Sequence, residues 1–283
     1  MKKKILGVII FMLLLATVVI PANALNNSKT LSIDVNVPVW KVGDSWTYEV
    51  NYYEGGIYET MNCTMLGDLV FTVADDTGDH YLLKAKGKLN GIFKYGNNGL
   101  KTTRFITAGT EILVRKADLG LENWYLYLRG IFTLIIKNKT LPIPIQMSVE
   151  RSTKFNPTWA ILPFPLYDGK IGVIDSIDII QGGSVSLFWG LKTLSDTTYT
   201  WISEELYYTC YEEQITVPAG NYTVYNISAE NPGYYWYYYY KTYYAPEVGN
   251  FVKESVVIPF NPDYSDLIYL IFNLELKSTN YTP

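Results

Sequence analysis

The chain has 283 residues, a formal net charge of −4, and 16% aromatic residues, among them 26 tyrosines, with one histidine and two cysteines. A mildly acidic chain with no clustered Lys/Arg run beyond its first residues has no electrostatic attraction to nucleic acid or anionic lipid heads, so nucleic-acid binding is disfavoured. One histidine and two separated cysteines are too few for an ordinary structural zinc site, and no cofactor or metal is expected.

The first 24 residues, MKKKILGVIIFMLLLATVVIPANA, read as a secretory signal peptide: Lys2, Lys3 and Lys4, an apolar stretch from Ile5 to Ile20, and the small-residue site Ala22-Asn23-Ala24. The stretch is shorter than the ~20 residues of a comfortable membrane span; an uncleaved anchor is the alternative. Cleavage after Ala24 removes three lysines and no acid, moving the charge from −4 to −7. The expected organisation is a signal helix over 1–24 and an exported β domain over 25–283, with candidate lobes 25–163 and 164–283. The expected location is extracellular or at the cell surface.

Strands then follow one another. In SWTYEVNYY, Trp46, Tyr48 and Val50 share one face and Ser45, Thr47 and Glu49 the other, the alternation of a half-buried strand. GDLVFTVADDTGDHYLLKAKG reads as a hairpin around residues 75–79, and WYLYLRGIFTLIIKNKTLPIPIQMSVER as strands interrupted by Pro142 and Pro144. SVSLFWGLKTL and TYTWISEELYYTCYEEQITV continue the pattern. ADLGLENWYLYL has a weak helical phase, but its β-rich flanks favour strand. VPVWKVGDSWTYEV and FPLYDGKIGVIDSIDI share a proline, an aromatic and a glycine before an extended segment, the basis for considering two lobes.

Near the C-terminus, turn signatures at Val217-Pro218-Ala219-Gly220 and Asn231-Pro232-Gly233-Tyr234 bracket NYTVYNISAE, and YYWYYYYKTYY and NFVKESVVI follow: an antiparallel meander. Successive residues of a strand face opposite ways. Lys241 marks the odd-numbered series as wet, since an unpaired buried ammonium is costly. Trp236, Tyr238 and Tyr240 are therefore expected in the core, with Tyr235, Tyr237 and Tyr239 forming an exposed or cavity-facing ladder. Such a ladder stabilises a sheet by cross-strand pairing and can also stack on a sugar or shelter a lipid.

KVGDSWTYEV, FPLYDGK, ITVPAGNYTVYNIS and YYAPEVGNFVKES resemble recurring blocks of uncharacterised exported archaeal and bacterial proteins. They are similar also to the DUF3108-type group, related in architecture to periplasmic lipoprotein carriers. In that pattern Tyr222 follows the Val-Pro-Ala-Gly turn, and the segment from Pro246 to Lys253 forms a turn and a strand. The resemblance implies a curved antiparallel sheet wrapped like an open half-barrel. It departs in lacking a tryptophan near Val173 and a counterpart to the carriers' helical lid, and it transfers no catalytic residue.

His80 sits beside an acidic turn without a Gly-x-Ser-x-Gly elbow, and reads as a sheet residue. Asp75, Asp76 and Asp79 depart from the order of a calcium loop. Glu204/Glu205 and Glu212/Glu213 are neighbours on a strand and point apart, unlike a glycosidase pair. The expectation is thus an all-β, non-enzymatic envelope protein that binds an apolar or glycan ligand, with Trp46, Tyr235, Tyr237 and Tyr239 as contacts. The alternative is a structural or adhesive surface-layer component. Cys63 and Cys210 are a candidate disulfide; Asn26, Asn62, Asn138, Asn221, Asn226 and Asn280 are candidate glycosylation sites. Partners are a lipid or glycan and components of the envelope.

Overall fold

The computed structural model describes residues 34–56, 61–95, 97–160, 162–187, 192–195, 198–203, 205–230, 239–259 and 268–283. Residues 1–24, expected to be a signal peptide, lie outside them. In chain order the strands are β1 (Ser45–Gly56), β2 (Met61–Asp76), β3 (His80–Tyr95), β4 (Asn98–Arg115), β5 (Leu121–Ile136), β6 (Lys139–Trp159), β7 (Lys170–Ile174), β8 (Asp178–Leu187), β9 (Lys192–Ser195), β10 (Tyr199–Ile202), β11 (Leu206–Val217), β12 (Gly220–Glu230), β13 (Tyr239–Ala245), β14 (Asn250–Pro259) and β15 (Ile268–Thr279). All belong to one antiparallel sheet. The all-β expectation holds.

The alternation expected from sequence is the one observed. On β1, Trp46, Tyr48, Val50 and Tyr52 are buried. On β3, Tyr81, Leu83, Ala85 and Leu89 are buried, while Lys86 and Lys88 are exposed between them. Gly78 takes φ 78° in the hairpin between β2 and β3, and Gly220 takes φ 143° in the turn opening β12. Pro142 and Pro144 do not end their strand. β6 runs through them, and the β5–β6 ladder shifts register there, between Thr133 and Leu134. A local irregularity accommodates residues that have no N–H to donate.

The sheet curves further than a half-barrel. β1 pairs with β2 on one side and with the last strand, β15, on the other. β7 and β8 are one strand in two pieces, and so are β10 and β11: Ile174 faces Leu206 and, in the same register, Asp178 faces Ile202. Between the pieces, Ser203 N donates to Ile177 O (2.9 Å) and Ile177 N to Ser203 Oγ (3.0 Å). The inward series passes there from even-numbered residues (Ile174, Leu206) to odd-numbered ones (Ile177, Ile179), so the hairpin kinks without losing register. Because β8 pairs with β6 and β11 with β12, the ring is complete. Counting β7–β8 as one strand and β9–β11 as another, twelve strands run up and down around it among the described residues. The two candidate lobes are halves of this continuous sheet, joined at β6–β8 and at β1–β15.

Two glycines on the inward series of adjacent strands let the wall bend sharply. A Cβ on Gly67 would lie 2.1 Å from Lys88 O, and one on Gly87 would lie 2.0 Å from Asp68 O. Only a residue without a side chain permits so close an approach of neighbouring backbone.

One end of the barrel is capped. The segment preceding β1 brings Trp40 against Trp46 (ring centroids 5.2 Å) and Tyr81 (5.3 Å). Trp40 Nε1 donates to Gly249 O (2.7 Å) and Trp46 Nε1 to Val248 O (2.9 Å). The loop between β6 and β7 adds Leu162 and Leu166, and the Lys170 ammonium holds it by donating to the carbonyls of Pro163 and Pro165. The tip of the β11–β12 hairpin folds across the same end, where Ala219 N donates to Leu276 O (2.9 Å).

Candidate ligand-binding lumen

The strand registers set inward residues in rows. One row crosses six strands as Leu69, Gly87, Ala108, Leu128, Val149 and Val185; the next begins Phe71, Ala85, Thr110 and Leu126. Gly87, Ala85 and Ala108 contribute almost no volume. A circle of twelve strands about 4.8 Å apart and tilted about 40° is about 24 Å across, wider than the barrels of about eight strands that side chains just fill. Accordingly Leu69, Phe71, Ile112, Trp124 and Leu128 point inward yet are only half-buried. Trp124 is fixed by donating its Nε1 to Thr110 Oγ1, which itself donates to Tyr125 O (2.7 Å). These residues form an apolar wall along β2, β4 and β5 that the protein's own side chains cover only in part.

The facing arc, β11 to β15 and β1, is more polar inside. Tyr208 and Tyr240 flank Ala229 in one row, and Thr242, Glu254 and Leu274 lie in another. Tyr48 donates its hydroxyl to Phe251 O (2.8 Å). Burial pushes the Glu254 carboxyl up to about 7 and the Tyr208 hydroxyl up to about 12. Burial, then the nearby Glu254 charge, raises Tyr48 and Tyr240 well above the ordinary tyrosine range.

The outer face carries charged and apolar side chains together: Leu66, Val70, Tyr125 and Ile131 stand exposed on it. Ion pairs Lys84–Glu111 (2.9 Å), Arg129–Glu150 (3.0 Å), Lys253–Glu275 (2.6 Å) and Lys277–Asp68 (2.9 Å) are distributed around the ring.

The residues singled out in the sequence fall in different places. Trp46 is fully enclosed by Trp40, Tyr281 and the 248–249 backbone, so it is part of the cap and offers no face to a ligand, a correction to its expected role. Tyr235 and Tyr237 lie outside the described residues; Tyr239 opens β13, and its side chain is also outside them. The phase expected for this strand is observed where it is described: Tyr240, Thr242 and Tyr244 are buried, Lys241 and Tyr243 half-exposed. Cys210 is a free, buried thiol on β11, and the structure does not join it to Cys63 on β2, which has five strands between it and β11 along the sheet. His80 Nε2 meets Glu122 Oε2 at 2.8 Å on the barrel rim.

Of the candidate glycosylation sites, Asn26 and the side chain of Asn62 are outside the described residues. Asn138 and Asn221 are exposed. Asn226 is half-buried with its amide donating to Glu213 (2.6 Å), and the exposed Asn280 donates to Gly43 O (3.1 Å). Asn221 and Asn226 both reach solvent although five residues apart, because the hairpin bends between them; the consecutive Val224 and Tyr225 are both buried there.

Sequence reasoning missed Glu254. In NFVKESVVI it shares parity with Val252 rather than with Lys253, which places an acid in an otherwise inward apolar series.

No family model matches the chain, and no curated protein matches it. A solved structure to which it is similar is the translocator domain of the autotransporter NalP from Neisseria meningitidis: 9% identity and a TM-score of 0.33, covering 84% of this chain and 88% of that one. A likeness of that degree decides nothing about function.

Proposed function

We propose that this chain is an exported, non-catalytic barrel that carries an apolar ligand in its lumen at the cell envelope. The observation that supports the reading is the wall formed by Leu69, Phe71, Ile112, Trp124 and Leu128, which faces inward and is left half-covered. Covering such surface contributes about 25 cal/mol per Å² before ordering costs. The leader-like first 24 residues supply the route of export, and the likeness of the sequence blocks to carrier-type proteins agrees with it.

Native mass spectrometry of gently purified protein tests the reading. A bound mass released by organic solvent is expected; protein that is bare on isolation and takes up no added hydrophobic probe would remove it. The second reading, a structural or adhesive component, is favoured by a different observation. Ile171, Ile202, Tyr207 and Tyr211 stand exposed on the β7–β11 side, Ile171 and Ile202 at 65% and 67%. It predicts concentration-dependent self-association in sedimentation, abolished by Ile202→Lys.

A further inference from the structure

Apolar burial leaves one inward group unexplained. Glu254 projects from β14 between Thr242 and Leu274, both buried. Its carboxyl is surrounded by protein, while the residue as a whole is half-buried. Among the described residues no Lys, Arg or His is paired with it. Close by, the Tyr208 and Tyr240 hydroxyls and Thr242 Oγ1 are buried without a hydrogen-bond partner among the described residues. Tyr240 and Tyr48 both feel the Glu254 charge, and Tyr240 also feels Tyr208, so these groups share one neighbourhood.

Buried polar groups are normally satisfied, and a buried carboxylate without a counter-charge is costly. This set is rich in acceptors: a carboxylate and hydroxyl lone pairs. It lacks a cationic donor. A primary ammonium brings three N–H donors and one positive charge, which is what such a set leaves unmet. An acid head would be repelled by Glu254, and an alcohol would supply no charge.

We propose that the lumen takes an amphiphile with a primary amine head, the ammonium seated against Glu254, Tyr240 and Thr242 and the chain lying along the Leu69–Leu128 wall. This rests on the lumen reading above and names the ligand class for it. The elements packed against Glu254 face it with Thr242 and Leu274, and the ionisable groups around it are Tyr48 and Tyr240, with Tyr208 next to Tyr240. Their hydroxyls stay protonated across the neutral range, so Glu254 is the group whose titration tunes the site. Amine binding then strengthens as pH rises through about 7, where the Glu254 carboxyl loses its proton while an alkylammonium keeps its own.

Uptake of N-phenyl-1-naphthylamine, followed by fluorescence on the full chain at pH 8, tests this by competition. Dodecylamine, dodecanol and dodecanoate are compared below their micelle concentrations. Dodecylamine is expected to displace the probe at a concentration at least about ten-fold below dodecanol, with dodecanoate weakest. Glu254→Gln, nearly isosteric, should erase the amine's advantage and leave dodecanol unchanged. If the variant does not fold, the ranking of the three heads on the wild-type protein decides alone. Probe uptake with no preference for the amine, or a preference that survives Glu254→Gln, overturns the amine site and leaves the lumen reading standing. No probe uptake at all overturns both.

Discussion

The capped end and the middle of this barrel use the same residue types to opposite effect. At the cap, Trp40, Trp46, Tyr81 and Tyr281 stack on one another, and the two indole N–H groups are satisfied by the 248–249 backbone. Along the wall, Leu128 stands opposite Ala108 and Trp124 opposite Ile112, and both remain half-covered. An inward direction is therefore not the same as burial. Some inward side chains, such as Trp46, are buried by segments from outside the wall, and others, such as Val149 and Val185, by their neighbours in the sheet.

Mutations separate the two regions. Trp46→Ala should cost about 3–5 kcal/mol in urea unfolding, because it empties a fully packed site and leaves Val248 O without its donor. A cost under about 1 kcal/mol would mean that the cap is loose and the comparison fails.

Glu254 comes next, and its effect depends on pH. Its carboxyl holds its proton up to about 7 when folded, against an ordinary value of 4.5. The folded state therefore binds more protons between those values. Stability is greatest below about 4.5 and falls as pH rises through about 7, by about 3 kcal/mol in all. Glu254→Gln should flatten that slope, raising stability at pH 8 and hardly changing it at pH 4. Parallel pH profiles for the two proteins would show that Glu254 is not enclosed.

Leu128→Ala should cost about 1 kcal/mol, well below the usual 2–5 for a packed leucine, since its environment already lacks partners on one side. Leu128→Phe should be tolerated and should reduce uptake of a hydrophobic probe. A loss of several kcal/mol for Leu128→Ala would place this residue in a filled core. The smallest effect is expected outside the wall: Lys84→Ala breaks the exposed pair with Glu111 and should change stability by under about 0.5 kcal/mol, less still in high salt.

Much of the fold was legible residue by residue. The phase of β1 followed from Trp46, Tyr48 and Val50, and that of β13 from the single charge Lys241, because one buried ammonium would outweigh several buried rings. Trp46 shows the limit. Alternation gave its direction correctly, but not its height along the barrel, and height is what separates a cap residue from a lumen residue. Glu254 is legible by the same parity rule, since it shares the phase of Val252 and not of Lys253. The kink between Asp175 and Ile177 carried no recognisable signal, since the two broken strands keep their register only through each other.

What the sequence by itself determined is local: extended segments, their turns, and which side of each strand turns away from water. Period-two chemistry is written in neighbouring residues, and its energetics need nothing distant. Closure was decided only in three dimensions. It depends on β1 finding β15 and on the β7–β8 strand passing from β11 to β6, pairings between residues far apart in the chain that alternation cannot encode. That closure sets which inward residues are fully enclosed, such as Val149 and Val185, and which, such as Leu128, stay half-covered.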